Sequence, residues 1–322
     1  MFDPPKIPGM IEPVEQQLLS GLAADPFVAE NGVIVEFGTF FGRSTACLVN
    51  GALAWWSPER APAVYAYDSF ACSNSSAGFA KHVAAFAQQA GVAHVVRVEG
   101  DRIDFRPVYD HFVGSAEATG VLKTATTDLS RARRPDAPIA LMHIDAPKFY
   151  AELRYILVRF FPALMPGARI VFQDFFYQWS ASLVAGAQLL ADRGIVSFER
   201  SAASSLVSRV LRVPGLEEIA ELDLAMVDAS VPDLIDRSVA AMKAIAIDRP
   251  VQFLPRLYLA KMQYLWDQQR FAAAEATLLQ MLAENNNALN PAVFTDFREL
   301  LRNGFSIRRL YELDHADRAA AR

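Results

Sequence analysis

Val33-Ile34-Val35-Glu36-Phe37-Gly38-Thr39-Phe40-Phe41-Gly42-Arg43-Ser44-Thr45 is the stretch on which the fold of this chain is decided. A short run rich in Val and Ile ends in an acid, turns on two glycines and enters a helical pattern with Ser44 or Thr45 as its cap. The run is too short for a helix and too continuously apolar for a half-exposed strand, so it reads as a strand buried on both faces. Gly38 and Gly42 let the backbone approach a ligand closely, with main-chain N–H groups and a helix N-terminus turned toward it. A dinucleotide fingerprint would read Gly-x-Gly-x-x-Gly; here the middle glycine is missing and Phe40 and Phe41 crowd the turn. Glu36 would repel a pyrophosphate and suits a ligand with a cationic or amino end.

Outward from this stretch the same alternation repeats. Short apolar runs at Gly32–Gly38, Ala63–Ser69, His94–Asp101, Ile139–Asp145 and Arg169–Phe175 read as strands. Between them, Ser44–Ala54, Ala77–Ala90, Phe149–Phe161 and Ser180–Ala191 are long enough for crossover helices, which predicts a parallel sheet covered on both faces. Ile195–Ala202 and Leu206–Val213 are joined by so short a link that they can pair only antiparallel. Ser115–Pro138 has no clear period and reads as a long loop beside the ligand face. Beyond Leu216 everything is helical in pattern, over Leu216–Met226, Pro232–Ile247, Pro255–Asp267, Ala272–Glu284 and Pro291–Arg302. The expected division is an N-terminal helical segment (1–24), a ligand-binding α/β domain (25–214) and a helical C-terminal domain (215–322), the last a candidate surface for self-association.

Composition excludes several classes. The 322 residues are 52% hydrophobic and 21% charged, enough apolar material for a large core and unlike a disordered chain. Thirty-one basic against 36 acidic residues leave a net charge of −5, which gives no general attraction to nucleic acid or to an anionic membrane. Cys47 and Cys72 build no disulfide framework, and no Cys/His cluster has zinc spacing. The first residues carry no apolar signal-peptide core, and no stretch reaches the roughly 18 apolar residues of a membrane span. A cytoplasmic protein acting on a small molecule is the expectation.

Acids and glycines recur where the strands end. Tyr65-Ala66-Tyr67-Asp68-Ser69-Phe70, Glu99-Gly100-Asp101, Met142-His143-Ile144-Asp145 and Phe172-Gln173-Asp174-Phe175 each close an apolar run, and Met165-Pro166-Gly167-Ala168-Arg169 makes a turn before the last of them. With the glycine turn, these segments resemble the class I S-adenosylmethionine-dependent methyltransferases, and more narrowly their macrocin O-methyltransferase-like branch. The likeness covers roughly residues 9–213 and leaves the helical tail outside.

The resemblance implies a doubly wound, Rossmann-like, seven-stranded sheet, parallel with an antiparallel last strand. It implies S-adenosyl-L-methionine as cofactor, with Glu36 at its amino end, the turn and helix start (Gly38, Thr39, Gly42, Ser44, Thr45) around it, Asp68 and Ser69 at the ribose, and Asp101 on the adenine side. Asp145, with His143 in reserve, would be the base; Asp145, Gln173 and Asp174 would hold Mg²⁺. The reaction implied is methylation of a hydroxyl on a small molecule or sugar-containing metabolite, in a secondary-metabolism setting. Two readings compete: a non-catalytic cofactor-binding or scaffold protein, and a nucleotide-dependent oxidoreductase, which the missing glycine and Glu36 disfavour.

Overall fold

In the computed structural model, residues 1–74, 79–147, 149–228, 231–285, 290, 291, 293 and 295–297 are described. They fall into two compact units, Met1–Ala146 with Ala163–Arg169, and Pro147–Pro162 with the described residues from Ile170 on. The helix expected over Pro291–Arg302 lies mostly outside the described residues.

The first unit holds α1 (Pro13–Ala23), α2 (Pro26–Asn31), β1 (Val33–Phe37), α3 (Arg43–Ala52), β2 (Val64–Asp68), β3 (Ala71–Ser73), α4 (Phe79–Gln89), β4 (Arg97–Glu99), β5 (Arg102–Asp104), α5 (Arg106–Thr119), β6 (Leu122–Thr126) and β7 (Ile139–Ile144). The chain continues through α6 (Tyr150–Arg159), β8 (Leu164–Phe172), α7 (Ala181–Asp192), β9 (Val196–Ala202), β10 (Ser205–Val210) and α8 (Leu216–Asp228). It ends in α9 (Val231–Met242), α10 (Pro250–Asp267) and α11 (Phe271–Glu284). Seven strands form one sheet in the order β6-β2-β1-β7-β8-β10-β9. The pairs β6–β2, β2–β1 and β1–β7 are parallel, and β9 and β10 are antiparallel. This is the doubly wound sheet with an antiparallel last strand that the sequence predicts.

All residues of β1 and β7 are buried, as continuous apolar runs in the middle of a covered sheet should be. Helix α1 starts on a capping box in which the Glu15 carboxylate accepts the Glu12 N–H at 2.7 Å. It packs closely on α3 because Gly51 has no side chain: a Cβ there would stand 2.4 Å from the Ser20 carbonyl oxygen.

Two sequence expectations are corrected. The run His94–Asp101 is not a strand of the main sheet: its core, β4, lies with β5 and β3 in a small antiparallel sheet, and Arg97, Val98 and Glu99 are all exposed. One edge strand of the main sheet is β6, from the segment read as a loop. Lys123, Thr124 and Thr126 hide its pattern, which suits an edge with one face in water.

In the second unit α7 is buried nearly all round and is packed by α6, α8, α9 and α10. The turn between β9 and β10 is held by the tail: Asp248 accepts the Ala203 N–H at 2.9 Å, and its own N–H donates to the Ser201 hydroxyl at 2.8 Å. Leu257, Leu259, Met262 and Leu265 of α10 are buried within the chain.

Candidate functional site

The carboxyl ends of β1 and β2 meet at the glycine turn. Gly38 and Gly42 take the left-handed conformation, with φ of +82° and +92°. Gly38 is also pressed against the chain leaving β7, since a Cβ would stand 2.8 Å from the Ala146 nitrogen. Phe40, at the place of the missing glycine, has φ +49°, a conformation costing roughly 1–2 kcal/mol for a residue with a Cβ. Its ring offsets that cost by stacking on Phe41 at 4.0 Å and meeting Phe79, Phe86 and Phe105.

Asp68 holds the turn shut. One carboxylate oxygen accepts the Thr39 N–H at 2.7 Å and the Phe40 N–H at 3.1 Å, and the other accepts the Phe70 N–H at 2.7 Å. Burial raises its pKa above the ordinary carboxylate range, and these three N–H groups oppose the rise.

Beside this latch lies a cavity of about 860 Å³. Ser69, Cys72 and Ser73 line it after β2, Glu99 and Asp101 from the β4–β5 hairpin, and Thr126, Thr127, Asp128 and Arg131 after β6. Asp101 accepts the Ser73 hydroxyl, which ties the hairpin to β3. Open sheets of this kind bind ligands outside the carboxyl ends of their strands, and this cavity stands at two of them, β2 and β6. Sequence reasoning missed Thr126, Thr127, Asp128 and Arg131 as lining residues. The signal available was the short extended run Leu122–Thr126, masked by Lys123 and its threonines.

Other expected site residues point inward. Glu36 has no exposed surface: one oxygen accepts the Thr45 hydroxyl at 2.6 Å and the other faces His143 Nδ1 at 3.2 Å. The expected direct contact of Glu36 with a ligand is therefore replaced by a bracing of β1, β7 and α3. His143 is equally buried, which removes it as a reserve base for an acceptor in the cavity. Gly42, not Ser44 or Thr45, is the N-cap of α3, and both hydroxyl residues are buried in its first turn. Asp145 is half-buried at the end of β7, its N–H donating to the Phe37 carbonyl at 2.9 Å.

In the second unit, Gln173 is buried with both amide atoms engaged. Its Nε2 donates to Ser204 at 3.1 Å and its Oε1 accepts from Ser205 at 2.6 Å. Asp174 sits at φ +59°. The amide oxygen expected to help hold Mg²⁺ thus pins the β9–β10 turn instead. Among the described residues, no group of three or more His, Cys, Asp or Glu is placed to hold a metal. Nor is any helix among them long and apolar enough to cross a membrane.

No protein-family model matches the chain, and no curated protein matches it. Solved structures similar to it include the O-methyltransferase NovP, at 14% identity and a TM-score of 0.46 over 64% of this chain and 83% of that one. Another is CalS11, a TDP-rhamnose 3'-O-methyltransferase of calicheamicin biosynthesis, at 17% identity and a TM-score of 0.38 over 61% and 77%. A third is TomG from Streptomyces achromogenes, an O-methyltransferase in complex with SAM, at 17% identity and a TM-score of 0.36 over 63% and 82%.

Proposed function

We propose that this protein is an S-adenosylmethionine-dependent O-methyltransferase of the macrocin O-methyltransferase-like branch, acting on a hydroxyl of a small molecule or sugar-containing metabolite. The observation that carries the reading is the Asp68 latch. A carboxylate at the end of β2 gathers the N–H groups of a glycine turn at the rim of an 860 Å³ cavity lined by Ser69 and Asp101. Asp68 keeps part of its surface open next to the lining residue Ser69, each carboxylate oxygen has capacity for a further bond from a ribose hydroxyl, and the cavity is within the size range of small-molecule sites.

When bound, the cofactor supplies a sulfonium methyl for in-line transfer to the acceptor oxygen. Asp68 and Ser69 bind the ribose, the turn from Gly38 to Gly42 seats the methionine end, and Asp101 lines the adenine side. Glu36 acts from behind, through Thr45 and His143. Asp145 takes the proton of the acceptor hydroxyl, a contribution of about 10²–10⁴-fold for a well-placed base. Most of the acceleration comes from alignment of the two reactants. Mg²⁺ has no step here, because the residue types present fit it poorly once Gln173 is engaged. That same engagement favours a second reading, a cofactor-binding protein without turnover.

Calorimetry with S-adenosylhomocysteine and with NAD⁺ tests the proposal. The wild type binds the former and not the latter, and Asp68→Ala weakens binding tenfold or more, since a hydrogen bond to a charged group is worth about 1.5–3 kcal/mol. Equal binding in wild type and Asp68→Ala sinks the reading. Turnover with hydroxylated acceptors then separates enzyme from binding protein.

A further inference from the structure

Arg43 is the first residue of α3 and follows Gly42 directly, yet its side chain turns to the N-terminal chain. Its Nε donates to the Ile7 carbonyl, and one Nη donates to the carbonyls of Gly9 at 2.8 Å and Ile11 at 3.3 Å. A rigid fork of donors can gather three carbonyls in this way; a lysine ammonium is a compact point charge that cannot span them. The far end of the segment is fastened separately. Asn50, also on α3, accepts the Phe2 N–H at 2.8 Å and donates to the Phe2 carbonyl at 2.9 Å. Between the fastenings, Pro4, Pro5 and Pro8 limit the freedom lost on docking, and Ile7 and Ile11 are buried. Gly9 lies flat on the arginine: a Cβ there would stand 3.1 Å from Arg43 Cβ.

The backbone of Arg43 belongs to the ligand turn. Gly42 donates its N–H to the Thr39 carbonyl at 2.8 Å, and the next N–H groups, at the start of α3, have no partner within the helix by geometry. Whatever fixes Arg43 therefore fixes the direction in which those groups point.

We propose that residues 2–11 form a latch on the glycine turn and that Arg43 is the positioning residue transmitting its hold. The ligand used below rests on the methyl-donor reading; the ligand-free measurement does not. Arg43→Ala removes the three bonds, and Gly9→Val wedges the strap away while leaving Arg43 and the turn sequence intact. Both are expected to weaken S-adenosylhomocysteine binding about tenfold, as the loss of one or two net hydrogen bonds would. Both are also expected to speed amide hydrogen exchange over Gly38–Thr45 in the ligand-free protein. Arg43→Lys should rescue little. Asn50→Ala frees the end of the strap away from the turn and should lower thermal stability while changing affinity by less than about twofold.

Unchanged exchange over Gly38–Thr45 in Arg43→Ala and Gly9→Val overturns the latch. So does an Asn50→Ala effect on affinity equal to theirs, which would mark a general loss of stability. A wild type that binds no S-adenosylhomocysteine defeats the functional reading instead, and the exchange measurement still decides the latch.

Discussion

The Glu36 carboxylate and the His143 imidazole face each other at 3.2 Å inside the sheet, with neither side chain exposed and Thr45 closing the second carboxylate oxygen at 2.6 Å. Three elements thus share one buried acceptor, and its removal strands two polar partners. Glu36→Ala is expected to lower the unfolding free energy by about 2–5 kcal/mol, from the desolvated partners and the void together. Glu36→Gln keeps the volume and one acceptor oxygen and should cost less than half as much. Urea denaturation decides the matter, and a Glu36→Ala protein as stable as the wild type would show that the bracing is not structural.

Asp68 gives the ligand turn a pH dependence of definite sign. Its folded-state pKa is raised by burial, so the native state holds its proton more tightly than the unfolded chain. Its contribution to stability is therefore greatest below the ordinary carboxylate range and declines as pH climbs through the folded-state value. Asp68→Asn removes this component, so wild-type stability relative to the variant should fall as pH rises from the ordinary range upward. Chemical denaturation at a series of pH values reads the difference, and the opposite slope would mean that the N–H groups outweigh burial.

The two cysteines should separate cleanly under alkylation. Cys47 is fully buried and its thiol is pushed up to about 12 by burial, whereas Cys72 is half-exposed on the cavity wall. The thiolate is the reactive form, so iodoacetamide near pH 8 should modify Cys72 and leave Cys47 untouched in the folded protein. Peptide mass mapping identifies the modified residue. S-Adenosylhomocysteine should slow the reaction, and labelling of Cys72 indifferent to it would place the ligand away from this cavity.

The proposed chemistry asks for a base and no metal. Asp145→Asn should reduce kcat by about 10²–10⁴-fold while leaving S-adenosylhomocysteine affinity within about twofold. EDTA should leave turnover unchanged. Activity abolished by EDTA and restored by Mg²⁺ would return the metal to the mechanism.

Much of this was legible in the residues, for reasons that differ by element. β1 and β7 announce themselves because a strand buried on both faces is apolar throughout, and the glycines after β1 mark a turn that nothing with a Cβ enters cheaply. β6 was hidden because an edge strand needs only one apolar face, and Lys123 and its threonines look like loop. Val95-Val96-Arg97-Val98 misled for the converse reason: β-branched residues favour extended chain in a small exposed sheet as readily as in a large buried one. At the site, residue type put Asp68 at the end of β2 beside the glycine turn, where the structure has it, but could not show that Glu36 is fully buried against Thr45 and His143. That burial depends on where Thr45 and His143 lie, and His143 is 107 residues away.

That separation also bears on how the chain is made. β1 sits between β2 and β7, so an apolar strand emerging early from the ribosome has one edge unpaired until β7 follows. At about 5–20 residues per second, the 107 residues between Glu36 and His143 take roughly 5–20 s to synthesise. Through that interval Val33–Phe37 is a sticky edge on a nascent chain, the kind of surface that chaperones shield. Yield in cells should therefore respond to growth temperature and to chaperone supply more than the stability of the finished fold would suggest.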